Sequence, residues 1–296
     1  MRLRVGCEFQ FESEQPVATV MLVAARTDGA HEMIQESRRT QPTLVVRDFR
    51  DAFSNNCWRL EVPLGRSCIR YDAMVDVDDT PDQRRPGALL FAPADIPDAV
   101  LGFTLPSRYA ESDQVANEAW TLFGDTPPTW ERVQAICDWV HANIVYDPTA
   151  VLTHGTARQL LDGRRGVCRD FALLVTAFCR ALNIPARYTF GYLPDVGAST
   201  PETMDFHAWT EVFIANQWFT FDARHNTPRV GRVVVGFGRD AADVAMATSY
   251  GALTLNSMQV WAEEVARPNE SPAAVRAAPP ARAGHAERMR PLGVVR

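Results

Sequence analysis

Three side chains in this sequence are of kinds that together can transfer an acyl group: Cys168, His207 and Asp222. Cys168 stands in GRRGVCRDFALLVTAFCRAL (163–182), where a glycine-flanked loop runs into an apolar helix. At the first turn of a helix, unpaired N–H groups and the positive end of the helix dipole favour a thiolate over a thiol. Gly163 and Gly166 let the chain turn sharply before the helix and leave the sulfur accessible. A nucleophilic thiol also needs a base, and the base needs an orienting group. His207 opens the run HAWTEVFI, and Asp222 closes QWFTFD.

Whether those two can meet is a question of hairpin parity. A two-residue turn at Ala215–Asn216 pairs Ile214 with Gln217. Asp222 then faces Trp209 and becomes the diagonal neighbour of His207 on the same face. A four-residue loop puts Asp222 directly opposite His207. A three-residue loop moves it to the other face and breaks the arrangement.

The elements that must position these residues follow from periodicity. Residues 1 to about 105 read as strands: in RLRVGCEFQF the residues Leu3, Val5, Cys7, Phe9 and Phe11 alternate with polar or small ones. ATVMLVAA, TLVVRDF and CWRLEVPLG continue in short β-prone runs broken by Asp, Asn, Gly and Pro. Helical signals take over near LPSRYAESD (105–113). PPTWERVQAICDWVHANI spaces Trp130, Val133, Ile136, Cys137, Val140 and Ile144 by three or four, with Thr129 as the predicted N-cap. TARQLL is a short helical piece, and the Cys168 helix carries Phe171, Leu174, Val175, Phe178 and Leu182 on one predicted face. The expected division is a β-sandwich or barrel domain over 1–108, a core over 109–264 and a disordered Ala/Pro/Arg-rich tail over 265–296.

Composition narrows the class. The chain has 296 residues, 46% hydrophobic and 22% charged, enough apolar material for a sizeable core. A net charge of -6 argues against a nucleic-acid footprint. No run approaches the ~18 apolar residues of a membrane-spanning helix. MRLRVGCEFQFESEQPV lacks the apolar stretch of a secretion signal, so the expected compartment is the cytoplasm, with reduced thiols. The six cysteines form no CxxC pair, and neither a metal set nor another cofactor is indicated. Lysine is absent, so the chain cannot offer a lysine amine as acceptor in self-crosslinking.

The ordered motifs GVCRDFALLVTAFCRALNIPARYTFGY and HAWTEVFIANQWFTFDARHN resemble the transglutaminase-like superfamily of papain-fold cysteine enzymes, over roughly 110–250. The first hundred residues resemble the β-domain that precedes this core in bacterial members. The resemblance implies an α+β fold, an N-terminal antiparallel β-domain followed by a papain-like core in which the Cys168 helix packs on an antiparallel sheet. It implies Cys168 as nucleophile, His207 as general base and then acid, and Asp222 as the carboxylate that orients the imidazole. The implied activity is cysteine-dependent acyl transfer through a thioester, with hydrolysis of peptide, isopeptide or amide bonds in a peptide or protein substrate as the first expectation. Protein-glutamine transamidation and an inactive binding module are the alternatives. The oxyanion would be held by the Cys168 N–H and a second donor, for which Tyr146 in IVYDP is the candidate.

The remaining candidates read more plainly. Cys179 is expected to be packing, Trp209 and Trp218 core, Asp170 an acid complementing the helix dipole, and His141 and His154 unconnected to any ligand set. His225 and Asn226 could rival His207 and Asp222 but fit a loop after the strand. DVDDTPD (76–82) lacks the glycine and glutamate of a calcium loop, carrying Pro81 and Gly87 instead, and is expected to be solvated. FGRDAADVA (237–245) holds a charge cluster with no role legible from sequence.

Overall fold

In the computed structural model, residues 1–150, 155–196 and 204–266 are described. The chain begins with six strands: β1 (Arg2–Ser13), β2 (Val17–Met21), β3 (His31–Gln41), β4 (Arg47–Arg50), β5 (Asn56–Val62) and β6 (Gly65–Val77). A connecting segment with one short α-helix, α1 (Asp98–Leu101), between two 3-10 turns leads to α2 (Ala116–Phe123), α3 (Trp130–Asn143), β7 (Val145–Tyr146), α4 (Ala157–Gly163), β8 (Arg165–Gly166) and α5 (Cys168–Ala181). Strands β9 (Ala186–Tyr192), β10 (His207–Ile214), β11 (Gln217–Phe221) and β12 (Val233–Gly238) form one antiparallel sheet in the order β11-β10-β9-β12.

The last strands, β13 (Ala247–Ser249) and β14 (Thr254–Glu264), leave that sheet and return to the first region. They complete two antiparallel sheets, β14-β1-β6-β3 and β13-β2-β5-β4. These two sheets are therefore built from both ends of the described chain, whereas the expected division at 108/109 places their last strands with the core. Cross-strand packing gives a reason: Gly6 lies opposite Trp261, and a Cβ at Gly6 would meet the Trp261 ring at 2.5 Å. The expected alternation in β1 holds, with Leu3, Val5, Cys7, Phe9 and Phe11 all buried. The polar edge strand β3 and the central strand β6 went unsingled in the sequence, β3 because its side chains are mostly solvent-facing.

Hydrophobic packing is continuous between the sheets and the helical region. Tyr192 on β9 donates its hydroxyl to Val23 O at 2.7 Å, and the Phe206 ring stacks on Phe9 at 6.4 Å. Helix α5 is the central element: every residue from 170 to 180 is buried, so its apolar stripe is part of an all-round burial. Arg180 within it is held by the carbonyls of Leu105, Ala186 and Arg239. The 237–245 cluster staples the adjoining turn, with Asp240 accepting from Tyr109 N–H and Asp243 from Arg239.

Thr129 takes the N-cap position of α3, but its hydroxyl bonds Glu131 rather than the helix backbone. Thr156 caps α4 with a capping box closed by Gln159. His154 and 267–296 of the expected disordered tail lie outside the described residues.

Candidate active site

Cys168 is the first residue of α5, preceded by Val167 in extended conformation. Asp170 fixes this start by accepting the Val167 N–H at 3.0 Å. Gly166 leaves the room for it, since a Cβ there would stand 2.7 Å from Asp170 Oδ2. The half-buried Cys168 thiol lies 3.8 Å from Phe206 O, directly beside His207. Helix and sheet are tied at this point by Thr210, whose hydroxyl donates to Ala172 O at 2.9 Å and meets Thr176 Oγ1 at 3.2 Å.

The hairpin has the two-residue turn. Ile214 pairs with Gln217, and Ala215 and Asn216 both take positive φ, 48° and 67°, as a turn matching the strand twist requires. Asp222 follows β11 on the His207 side, and its Oδ2 lies 2.7 Å from His207 Nε2. With Nε2 occupied, Nδ1 is the ring nitrogen left for Cys168, whose side chain helps to raise the His207 pKa. The structure thus brings Cys168, His207 and Asp222 together.

His207 and Asp222 are 7% and 8% exposed, so their charges interact with little screening by water. Burial on its own pushes the His207 pKa down, yet the Asp222 carboxylate and the Cys168 side chain carry it up to about 9. Burial would raise Asp222, but His207 and the Arg232 guanidinium hold it well below the usual carboxylate range. Trp209 is buried and stacks near His207, with ring centroids 6.3 Å apart and planes 24° from parallel. Trp218 packs instead on Phe103 and Phe213.

Arg232 is a contributor that sequence reasoning missed. Its Nη2 donates to Asp222 Oδ2 at 2.9 Å, and its Nε reaches both oxygens of Asp82 at 2.9 and 3.0 Å. Asp82 belongs to the stretch expected to be solvated. That expectation fails because a buried guanidinium requires a carboxylate, and Asp82 supplies it across 150 residues of sequence. At the start of the same stretch, Asp76 lies in β6 and pairs with Arg2.

His225 is close to the pair, its ring centroid 4.9 Å from that of His207, and its backbone N–H donates to Asp222 Oδ1 at 3.4 Å. Burial, together with His207, Arg224 and Arg229, pushes its pKa down to about 3 against the pull of Asp222, so it is neutral. Donor atoms of His207, Asp222 and His225 lie within 4.8 Å of one another, a spacing that could hold a metal. Arg232 on Asp222 and two further guanidiniums beside His225 put positive charge at that point, which suits proton transfer rather than a cation. Tyr146 on β7 lies opposite Gly166, its ring packed on Phe171 at 6.4 Å and under the Arg224 guanidinium at 4.0 Å. His141 is bonded to Ala223 O, and Cys179 is fully buried.

Residues 117–223 match the family model of the transglutaminase-like superfamily. Over that span the chain is similar to the transglutaminase-like superfamily. It is similar along 93% of its length to a solved structure from Cytophaga hutchinsonii, described as a candidate cysteine protease, with 28% identity, a TM-score of 0.81 and 95% of that chain covered. The likeness therefore takes in the N-terminal sheets as well as the transglutaminase-like core. An uncharacterized protein of Mycobacterium leprae is 33% identical over 119 residues, 39% of this chain. An uncharacterized protein of Mycobacterium bovis is 29% identical over 219 residues, 66% of this chain. The match spans 42% of the first relative's length and 68% of the second's. No helix among the described residues is long and apolar enough to cross a membrane.

Proposed function

We propose that the protein is a cysteine-dependent acyl-transfer enzyme of transglutaminase-like type, acting chiefly as a hydrolase on peptide, isopeptide or amide bonds of a peptide or protein substrate. The observation that carries this reading is the buried His207–Asp222 contact of 2.7 Å beside a thiol at a helix N-terminus. In this scheme the Cys168 thiolate attacks the carbonyl carbon, and the oxyanion is met by the Cys168 N–H and a second donor, for which Tyr146 remains our candidate. The tetrahedral intermediate collapses with cleavage of the C–N bond, and the His207 imidazolium gives its proton to the departing amine. Water then attacks the thioester while His207 takes its proton, and the thiolate leaves. Asp222 keeps the imidazole in the required tautomer throughout.

Transamidation follows the same course with an amine in place of water, and the named residues serve both. Hydrolysis is our first reading because the solved structure most of this fold resembles is described as a candidate protease. We extend the reading to a reducing compartment, the cytoplasm, which would keep the Cys168 thiol free to react. The test is incubation of a peptide library with the enzyme, with and without a primary amine, followed by mass spectrometry. New termini that form equally with and without the amine, and vanish in Cys168→Ala, are the expected result. Amine conjugates in place of hydrolysis products would assign transamidation. No product of either kind would leave the binding-module reading.

A further inference from the structure

Asp222 lines a cavity together with Asp82, Trp130, Cys137, Phe221 and Asn226, so polar partners as well as hydrocarbon surround it. The titratable and charged groups around it are His207, His225, Arg232 and the Cys137 thiol, with Asp82 and Arg84 on the same cavity. Of these, Arg232 is the fixed cation. Its side chain is 7% exposed, lies over the Trp209 ring at 4.8 Å, and is bonded on one side to Asp222 and on the other to Asp82. Asp82 is itself anchored by a reciprocal pair of backbone contacts: its Oδ2 accepts the Arg229 N–H and its own N–H donates to Arg229 O, both at 2.9 Å. One line of contacts thus runs from the segment after β6 through Asp82, Arg232 and Asp222 to His207.

We propose that Arg232, held by Asp82, is a positioning residue that keeps the Asp222 carboxylate ionised and aimed at His207 Nε2, so that the N-terminal region governs the readiness of the thiol. The proposal rests on the function read above for Cys168, His207 and Asp222. A buried carboxylate without Arg232 is free to take up a proton or turn into its cavity, and either event removes the imidazole's oriented partner. A guanidinium suits the task because it can engage two carboxylates at fixed angles, whereas an ammonium is a point charge.

The test compares the pH profile of Cys168 alkylation, read by peptide mass spectrometry on the full chain, in wild type, Arg232→Gln, Arg232→Lys, Asp82→Asn and His207→Ala. Thermal unfolding is followed in parallel. Arg232→Gln is expected to move the profile toward that of an ordinary thiol by about one pH unit or more, a roughly tenfold loss of reactivity below the midpoint. Arg232→Lys should fall between Gln and wild type, and Asp82→Asn should shift the same way by less. A folded Arg232→Gln with the wild-type profile overturns the proposal and leaves Arg232 a structural residue only. If Arg232→Gln does not fold, Asp82→Asn decides by the same criterion. A shift in Arg232→Gln but none in Asp82→Asn overturns the part assigned to Asp82. If His207→Ala leaves the profile unchanged, the functional reading fails, and this proposal with it. If His207→Ala abolishes low-pH reactivity while the Arg232 and Asp82 variants match wild type, only the positioning proposal fails.

Discussion

Asp222 and His207 meet diagonally across a hairpin whose turn is only Ala215 and Asn216, and their side chains close to 2.7 Å. The contact depends on turn length, because one added residue changes which face a strand residue occupies. Inserting a single glycine between Ala215 and Asn216 is expected to leave the sheet signal in circular dichroism and to remove activity. Losses on the order of 10,000-fold accompany removal of an imidazole's orienting carboxylate. An insertion variant with wild-type rates would show that the diagonal contact is dispensable.

The same turn carries strain that is open to measurement. Ala215 sits at φ 48°, a left-handed conformation that costs a residue with a Cβ roughly 1 to 2 kcal/mol. Ala215→Gly should recover part of this, less the extra entropy glycine loses on folding, and raise stability by up to about 1 kcal/mol in denaturant unfolding. A destabilised Ala215→Gly would contradict the strain argument.

Two histidines set opposite limbs of the pH–stability curve. His207 has its pKa raised from 6.5 to about 9, so its contribution is complete below 6.5 and is lost as pH rises through about 9. His225 has its pKa lowered from 6.5 to about 3, so the unfolded chain binds the proton first and stability falls as pH drops from 6.5 toward 3. Thermal unfolding midpoints measured across this range should therefore peak near pH 6.5. His207→Asn should flatten the alkaline limb and His225→Asn the acid limb.

Gly166 offers a different check on how the thiol is presented. A methyl group at this position would meet Asp170 Oδ2 at 2.7 Å and Leu160 Cδ1 at 2.8 Å, both beneath the Cys168 turn. Gly166→Ala is expected to destabilise the fold by about 1 to 3 kcal/mol, as overpacking of a buried site does, and to slow Cys168 alkylation. Wild-type stability and reactivity together would mean the loop is not packed as tightly as the geometry indicates.

The legible parts of this protein were those fixed by short-range pattern. The three-and-four spacing of Trp130 to Val140, the alternation of Leu3 to Phe11 and the turn at Ala215–Asn216 all express local backbone preference, and the structure shows each of them. The meeting of His207 and Asp222 could be anticipated because hairpin parity is a local rule, whereas the place of Cys168 beside them came from the resemblance of the ordered motifs. The return of β14 to pair with β1 could not, since nothing in TLNSMQVWAEE says which edge it will cover. The Asp82–Arg232–Asp222 line was hidden for the same reason. A buried guanidinium demands a carboxylate, but the sequence holds many of each, and pairing across 150 residues is decided by the tertiary fold.

The central claim is that His207 activates Cys168, and the most direct test is the pH dependence of Cys168 alkylation in wild type and His207→Ala. The other thiols provide internal controls: burial pushes Cys7 and Cys179 up to about 12 and Cys57 to about 11, and raises Cys68 and Cys137 as well. The account predicts that Cys168 alone is labelled well below the ~8.5 of a free thiol, and that His207→Ala abolishes this. A Cys168 that titrates as an ordinary thiol in both proteins would contradict it.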